Sequence, residues 1–177
     1  ALRMGCSVVR IAKKGQSVAE DYHCLSFAAK IASAPGAIPV IAYNIGKMGH
    51  LSRVCNPILS PVVDSGKDTH AYDLTIPTRW ATLFSLHILD PLQFYVFGSS
   101  VHHSMSPAMH NMAFATLGMP HTYKSKETGV LEDLPALWND TNFGGASISL
   151  PFKKDVFRYV SHRSPSVEII GAANTII

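Results

Sequence analysis

Charged residues are scarce in this sequence, and they do not cluster. Only 15% of the 177 residues are charged, and the formal net charge is +3. No dense patch of lysine and arginine appears, whereas proteins that bind nucleic acids need such patches to neutralise several phosphates at once. The composition therefore predicts no direct nucleic-acid partner.

Long apolar runs, a secretory leader and paired cysteines are also missing. Polar residues interrupt the apolar runs well before about 18 residues, so we expect no membrane span. The opening residues, ALRMGCSVVR, lack the regions of a secretory leader. Cys6, Cys24 and Cys55 form no CxxC motif and cannot all pair, which favours an intracellular location, cytoplasmic or nuclear.

The chain instead alternates strand and helix patterns. Residues 6–12 and 37–44 are short apolar runs typical of strands. Between them, Ser17 and Glu20 have the spacing of a capping box, which predicts the start of a helix. This strand–helix–strand order favours a parallel sheet covered by helices, so the predicted fold class is α/β.

Two further segments complete the first region. Residues 57–63, PILSPVV, predict one more strand, and residues 78–89 have helical spacing. The predicted buried face of that helix consists of Leu83, Leu86 and Leu89. The stretch DPLQ, residues 90–93, is the best candidate for a junction with the rest of the chain.

A second α/β series follows the junction. Its predicted strands and short helices are, in chain order, FYVFG, HTYKSKE at a sheet edge, LEDLPALWND, GGASISL, PSVEIIG and AANTII. Ser106 and Pro107 predict a helix N-cap followed by proline at the first helical position, and Gly118 predicts the end of that helix. Pro151 opens another predicted helix, PFKKDVFRYV. The apolar residues expected on it are Val156, Tyr159 and Val160.

The segment SVHHSMSPAMHN, residues 100–111, concentrates candidate chemistry. His102, His103 and His110 are candidate metal ligands. Adjacent histidines point to opposite faces of an extended segment, however, and the segment holds no carboxylate, so no metal site is predicted. A serine–histidine catalytic pair would lack the G-x-S-x-G elbow. A neutral hydroxyl site is the third interpretation, with His110 as a packing or hydrogen-bonding residue.

Ser104 and Ser106 would form the hydroxyl site. Residues i and i+2 of an extended loop face the same way, so both hydroxyls would point together just before a helix N-terminus with free N–H groups. Such a corner suits a carboxylate held without a full counter-ion. The alternative is that Ser106 only caps the helix.

Residues elsewhere in this region support a ligand site. Ser149 lies at a predicted strand end, where the binding residues of open α/β sheets collect. Lys153 lies in a predicted first helical turn, the less favoured end for a cation, which indicates a functional lysine. Asn174 adds an amide at a third strand edge. Together these groups suit a small polyhydroxy carboxylic acid.

Three ordered motifs in residues 94–177, HSMSPAMHNMAF, ASISLPFKK and IGAANTII, resemble those of the substrate-binding domain of shikimate dehydrogenases. That family also has an NADP domain, and no G-x-G-x-x-G loop is present in this sequence. We therefore expect no cofactor in this chain, and NADP only if a complete dehydrogenase domain follows it.

The resemblance implies a role for each candidate residue. Ser104 and Ser106 would hold the substrate carboxylate. Ser149 stands where the family usually has threonine and keeps the hydroxyl. Asn174 would bind ring hydroxyls, and Lys153 would be the catalytic lysine, sharing proton transfer at the oxidised hydroxyl.

Residues 1–76 are similar to the C-terminal part of type I 3-dehydroquinate dehydratases, through IPVIAYNIGKMGHLSRVCNPILSPV. That family folds as a (β/α)₈ barrel, and the similarity implies that Arg53 binds a substrate carboxylate. Arg10 stands at the place of the Schiff-base lysine and cannot form an imine; Lys13 or Lys14 could substitute only in a shifted register. The polar, turn-rich DSGKDTHAYD replaces the family's P-G-Q loop.

The two resemblances predict a domain boundary. Residues 1–90 would be the end of a dehydratase-like barrel, and residues 91–177 an open, mostly parallel, dehydrogenase-like substrate-binding domain. The fungal pentafunctional AROM polypeptides and the fungal quinate repressors have this order, and Arg10 favours the repressors. Both chain ends look cut, so we expect a piece of a longer polypeptide whose first part exposes apolar surface.

Three hypotheses for function follow. The first is a quinate-repressor-like regulator that binds quinate, shikimate or their dehydro derivatives, with a transcriptional activator as candidate partner. The alternative is the substrate-binding part of an NADP-dependent shikimate 3-dehydrogenase within an AROM-type enzyme. The third is a fragment with no independent function.

Overall fold

A computed structural model of the chain describes residues 5–59, 62–63 and 74–177. The chain divides into two compact units, Ala1–Ile88 and Leu89–Ile177. The segment DSGKDTHAYD, residues 64–73, lies outside the described residues. Within the described parts, no helix has both the length and the apolar character that a membrane crossing requires.

The first unit begins with a strand–helix–strand motif. Its elements are β1 (Val9–Lys14), α1 (Val18–Ala32) and β2 (Val40–Ile45). The two strands pair in parallel, as the alternating pattern predicts. The Ser17 Oγ accepts the Glu20 N–H (3.2 Å) at the start of α1, while the Glu20 carboxylate accepts the N–H of Gln16 (3.1 Å). The capping box is therefore confirmed, with its second bond shifted by one residue.

Short helices follow in the first unit. They are a 3-10 turn (Lys47–Gly49), α2 (His50–Val54) and α3 (Ile76–Ser85). The strand predicted over residues 57–63 is wrong for the described part of that segment, in which Val63 makes only an isolated bridge to Thr75. Val54, Leu74 and Leu83 form the buried apolar cluster of this unit.

The predicted end and buried face of α3 need correction. Leu83 is buried as predicted, but its buried neighbour is Phe84, while Leu86 and Leu89 are 50% and 37% exposed. His87 takes a positive φ of 51°, which carries the chain out of the helix. The two leucines consequently lose the helical spacing on which the prediction rested.

The second unit contains a four-stranded sheet. Its elements are β3 (Gln93–Gly98), α4 (Ser106–Thr116), β4 (Thr122–Glu127), α5 (Leu134–Trp138), β5 (Phe143–Ile148), α6 (Pro165–Ile170) and β6 (Thr175–Ile176), with 3-10 turns at Leu131–Asp133 and Asp155–Arg158. The strand order is β4-β3-β5-β6. β3 runs parallel to β4 and β5, and β6 runs antiparallel to β5. The predicted edge position of β4 is confirmed.

An apolar cluster supports the β3 and β5 side of this sheet. Its buried members are Phe97, Leu131, Leu134, Ala146, Ile148, Phe152, Val156, Ala173 and Ile176. The rings of Phe97 and Phe152 lie with their centroids 5.4 Å apart. Burying a large apolar side chain contributes about 1.5–3 kcal/mol, so this cluster is a major source of stability for the second unit.

The end of α4 follows the prediction from Gly118. Gly118 takes a left-handed conformation, with φ of 69°. Its N–H donates to the Ala115 carbonyl (3.1 Å), and the next N–H, of Met119, donates to the Phe114 carbonyl (2.9 Å). These two bonds form a Schellman motif, in which glycine is favoured because it has no Cβ to clash.

The α-helix predicted after Pro151 is wrong. The Leu150–Pro151 peptide bond is cis, and the segment forms turns and the 3-10 turn Asp155–Arg158. The carbonyl of Lys153 accepts the N–H of Ala173 (2.7 Å), so it is used by a distant part of the chain rather than by the next helical turn. Val156 is nevertheless fully buried, as expected of an apolar position.

Candidate functional site

The predicted binding residues of the second unit lie at the edge of the four-stranded sheet where its parallel strands end. β3, β4 and β5 are parallel, so their carboxyl ends meet at the same edge. The loops that leave β3 and β5 there contain Ser104 and Ser149. Because β6 runs antiparallel to β5, Asn174, which precedes it, also lies at this edge. Open α/β sheets bind ligands at such edges.

Ser104 and Ser106 lie together, but in a different geometry from that predicted. Met105, between them, has helical angles (φ −77°, ψ −7°), so the segment is not extended, and Ser106 is the first residue of α4 rather than its N-cap. Ser104 takes over the capping bond, because its Oγ accepts the Ser106 N–H (3.3 Å). The Ser104 hydroxyl can still donate its own hydrogen to a ligand.

Ser149 follows β5 and is held against the end of β3. Its N–H donates to the Phe97 carbonyl (2.7 Å), and the Ser99 N–H donates to the Leu150 carbonyl (3.2 Å). A Cβ on Gly98 would lie 2.7 Å from the Cβ of Ser149, so only glycine permits this approach. Sequence reasoning missed Gly98; its signal was a glycine that ends the strand FYVFG.

Backbone hydrogen bonds hold the segments that contain Lys153 and Asn174 beside each other and beside the end of β5. The Lys153 carbonyl bonds the residue just before Asn174, and the Asn174 carbonyl accepts the Ile148 N–H (2.8 Å) at the end of β5. Lys153 is half-buried and Asn174 is exposed. Lys153 lies in a turn rather than in a first helical turn, so the predicted unfavourable interaction with a helix dipole is wrong. Its position at the sheet edge is not affected.

Arg53, the predicted site residue of the first unit, lies in α2 and is only 6% exposed. The preceding residue, Ser52, belongs to a buried polar cluster: its N–H and the Asn44 amide donate to the Asp21 carboxylate at 3.0 and 3.1 Å. The Ser52 hydroxyl oxygen also accepts the Asn44 N–H (2.9 Å). Sequence reasoning missed this cluster, because Asp21 reads as an ordinary acid of a first helical turn.

Arg10 is engaged by a tyrosine. Its Nε (2.7 Å) and Nη2 both donate to the Tyr43 hydroxyl, and the guanidinium carbon lies 5.3 Å from the centre of the tyrosine ring. Tyr43 is buried on β2. Lys13, which only a shifted register would place at the imine position, pairs with Glu20 (3.1 Å). The Arg10 guanidinium is therefore engaged in contacts with the buried Tyr43 side chain.

The histidines and Asn111 of SVHHSMSPAMHN have separate contacts. His110 stacks on Tyr123, with centroids 4.4 Å apart and an interplanar angle of 8°, which confirms its predicted packing role. Asn111 accepts the Tyr123 N–H (2.7 Å) and donates to the Tyr123 carbonyl (2.9 Å). His102 pairs with Glu127 (2.9 Å). Among the described residues, no group of three or more His, Cys, Asp or Glu could hold a metal ion.

A cavity of about 590 Å³ in the second unit lies apart from these residues. It is lined by Trp138, Phe143, Phe157, Tyr159, Val160, Ser161, His162, Arg163, Ser164, Val167, Ala173, Thr175, Ile176 and Ile177. None of the predicted binding side chains is in its lining. The predicted site is therefore an open sheet edge, distinct from this mainly apolar cavity.

The strand-to-helix turn of the second unit does not fit a dinucleotide cofactor. The turn between β3 and α4 has the sequence SSVHHSM after Gly98, and α4 begins with Ser106 and Pro107. A pyrophosphate needs several glycines here so that backbone N–H groups can approach it. We therefore derive no hydride-transfer step from this chain.

Two families match the chain in succession. Residues 1–71 match type I 3-dehydroquinase, and residues 96–176 match the shikimate dehydrogenase substrate binding domain. Over its whole length the chain is 39% identical to the quinate repressor protein of Emericella nidulans and 33% identical to the pentafunctional AROM polypeptide of Mycosarcoma maydis. It spans only 20% and 10% of these two relatives.

A solved structure matches both segments of the chain. The dehydroquinate dehydratase and shikimate dehydrogenase region of AroM from S. pombe superposes with a TM-score of 0.88 at 29% identity. The match covers 99% of this chain and 33% of that one. The similarity thus extends across both units, in the order that the sequence predicted.

Proposed function

Because the chain joins a type I 3-dehydroquinase segment to a shikimate dehydrogenase substrate-binding domain, as a quinate repressor and AROM polypeptides do, we propose that it binds polyhydroxy carboxylates of the quinate and shikimate type. We propose further that it does so as part of a regulator of quinate catabolism. A transcriptional activator is the protein partner that such a regulator would control.

The observation that carries the proposal is the shared sheet edge. Ser104 and Ser106 at the start of α4 supply hydroxyls beside backbone N–H groups, which suit a carboxylate. Ser149, Lys153 and Asn174 come from the neighbouring β5 and β6 segments. In the proposed complex the carboxylate lies at the serines and the ring hydroxyls reach the amide, the lysine and the third hydroxyl.

Binding without dehydratase chemistry is supported by Arg10. An arginine cannot form the imine on which type I dehydratases depend, and its guanidinium is bonded to the Tyr43 hydroxyl. In this proposal the first unit contributes to ligand sensing through Arg53 rather than to catalysis. A full-length protein that dehydrates 3-dehydroquinate at the rate of an enzyme would contradict it.

A shikimate 3-dehydrogenase within an AROM-type enzyme is the second candidate. The backbone bond between Lys153 and the residue preceding Asn174 favours it, because it brings the proposed catalytic lysine next to the proposed hydroxyl ligand. In that case the full-length protein would reduce 3-dehydroshikimate with NADPH, and Lys153→Ala would abolish turnover while leaving shikimate bound. A regulator would show no such turnover.

Calorimetric titration tests the binding proposal. The 177-residue chain is titrated with quinate, shikimate, 3-dehydroquinate and 3-dehydroshikimate. The double variant Ser104→Ala/Ser106→Ala should weaken binding at least about tenfold, because it removes hydrogen bonds to a charged group. Ser125→Ala, an exposed serine in the middle of β4, is the matched control and should change Kd less than about twofold. Unchanged affinity in the double variant would refute the assignment.

A further inference from the structure

The carboxylate of Glu127 is held by three donors. Glu127 is the last residue of β4, and its Oε2 accepts the backbone N–H groups of Val101 (2.8 Å) and His102 (2.9 Å). The same oxygen lies 2.9 Å from Nδ1 of His102, which donates when it carries the ring proton. Hydrogen bonds to an ionised carboxylate are about twice as strong as neutral ones. One oxygen therefore holds two consecutive peptides of the loop after β3.

These contacts order a loop more than they stabilise the fold. The His102 side chain, followed by the backbone N–H groups of Val101 and His102, lowers the pKa of Glu127, so its carboxylate remains ionised at neutral pH. The side chains of His102 and Glu127 are 62% and 44% exposed. Side-chain contacts this exposed contribute little to global stability. Removing the carboxylate should therefore loosen the loop without unfolding the unit.

A chain of hydrogen bonds connects Glu127 to the two serines. Val101, whose N–H it accepts, is only 2% exposed and packs beside Val96 and Tyr123. The Val101 carbonyl accepts the Ser104 N–H (3.0 Å). The Ser104 Oγ then accepts the Ser106 N–H at the start of α4. The position of both hydroxyls thus depends on a peptide that Glu127 fixes.

We propose that Glu127 is the positioning residue of the serine pair Ser104 and Ser106. It touches no ligand itself, and it acts by holding the loop at residues 101–102 so that the two hydroxyls present a preformed carboxylate site. This inference rests on the proposed function, because the serine pair is the proposed carboxylate-binding site. It adds to that site a residue that lies outside all three sequence motifs.

Affinity for shikimate and quinate gives the first test. We expect Glu127→Gln to raise Kd about fivefold and Glu127→Ala about tenfold or more, with little change in Tm, because charge-assisted bonds to the loop are weakened or lost. Glu132→Gln is the matched control: it removes the same charge from an exposed pair with Arg158 (3.5 Å) and should leave Kd unchanged.

A double-mutant cycle separates positioning from a general effect. In the Ser104→Ala/Ser106→Ala background, Glu127→Gln should cause no further loss, since its influence passes through the serines. Because binding in that background is weak, it is measured by NMR titration at millimolar ligand. An equal loss in both backgrounds would overturn the proposal.

Amide hydrogen exchange without ligand gives the third test. Exchange at residues 101–106 should be faster in Glu127→Gln than in the wild type or in Glu132→Gln. Unchanged exchange in this loop overturns the positioning role whatever the affinities are. If exchange accelerates but the wild-type chain binds neither shikimate nor quinate, the positioning of the loop stands and the proposed function fails.

Discussion

The two units differ in what they bury. In the described part of the chain, every buried polar or charged residue belongs to the first unit: Asp21, Asn44, Ser52, Arg53 and Asn56. The second unit buries apolar side chains, and its polar candidates lie at a partly exposed sheet edge. The stability of the first unit thus depends on satisfied hydrogen bonds, while that of the second depends on close packing.

Both units expose large apolar side chains, but among the described residues these are more numerous in the first unit. In the first unit Ile11 of β1 is 44% exposed, and Val18, Tyr22 and Phe27 of α1 are 49%, 59% and 45% exposed. This confirms the expectation that the first part of the chain exposes apolar surface. A unit with a small apolar cluster and exposed apolar faces should be the less stable of the two.

The two tryptophans of the chain can report the two units separately. Trp80 lies in α3 of the first unit, and Trp138 lies in α5 of the second. Fluorescence-detected unfolding of Trp80→Phe and Trp138→Phe versions of each variant therefore assigns a loss of stability to one unit.

Phe97→Ala should have the largest effect. Phe97 is fully buried in the core of the second unit, and truncating such a side chain costs about 3–5 kcal/mol because it leaves a cavity. The Trp138 transition should move to much lower denaturant while the Trp80 transition stays in place. Equal shifts of both transitions would contradict separate sources of stability for the two units, because the units would then unfold together.

Asp21→Ala should destabilise the first unit by about 2–4 kcal/mol. The change leaves the Ser52 N–H and the Asn44 amide without their carboxylate acceptor inside the protein. Asp21→Asn keeps one carbonyl oxygen and should cost less, which makes it the control for charge. The Trp80 transition reports the loss. If Asp21→Ala left the Trp80 transition unchanged, the polar cluster would not be what stabilises this unit.

Gly98→Ala should cost about 1–3 kcal/mol and also weaken ligand binding. The added Cβ would meet the Cβ of Ser149 at 2.7 Å, so the loops after β3 and β5 must separate. Gly129→Ala is the control, because its Cβ would meet nothing within 4 Å. The Trp138 transition and the shikimate titration report the two effects. If the Gly98 and Gly129 variants behave alike, the close approach does not matter.

His121→Asn should remove a small pH dependence from the second unit. Burial lowers the pKa of His121, whose Nδ1 accepts the Leu92 N–H (2.9 Å). The unfolded chain therefore takes up a proton at this histidine more readily than the folded chain. The stability that neutral His121 contributes is complete above about pH 6.5, and it is lost as the pH falls through the lowered pKa. Asparagine accepts at any pH. When the pH is lowered from about 7 to about 5, the midpoint denaturant concentration of the Trp138 transition should fall more in the wild type than in the variant.

Local signals in the sequence predicted local structure well. Ser17 and Gly118 marked the ends of helices, because a cap depends on residues within one helical turn. The order of strands and helices also predicted that the segments after β3 and β5 meet at one sheet edge, whereas Asn174 reaches that edge because β6 runs antiparallel. Parallel strands bring their carboxyl ends together whatever the side chains are, so this part of the site follows from topology.

Contacts between distant residues were beyond prediction. Asp21 finds its partners 23 and 31 residues along the chain, and nothing near it in the sequence indicates burial. The carbonyl of Lys153 accepts the N–H of Ala173, 20 residues along the chain, and the helix predicted after Pro151 does not form. Glu127 likewise lies 25 and 26 residues from the peptides it holds. Its role follows from the strand order, which the motifs do not contain.

The side-chain amide of Asn111 has a consequence for self-association. β4 is an edge strand, and edge strands with unpaired backbone groups invite a strand from another molecule. Asn111 occupies both the N–H and the carbonyl of Tyr123, at a position where an incoming strand would need them. The Asn111 amide thus competes with an incoming strand for these two backbone groups. The edge of the sheet can stay uncovered at Tyr123 without pairing with another molecule there.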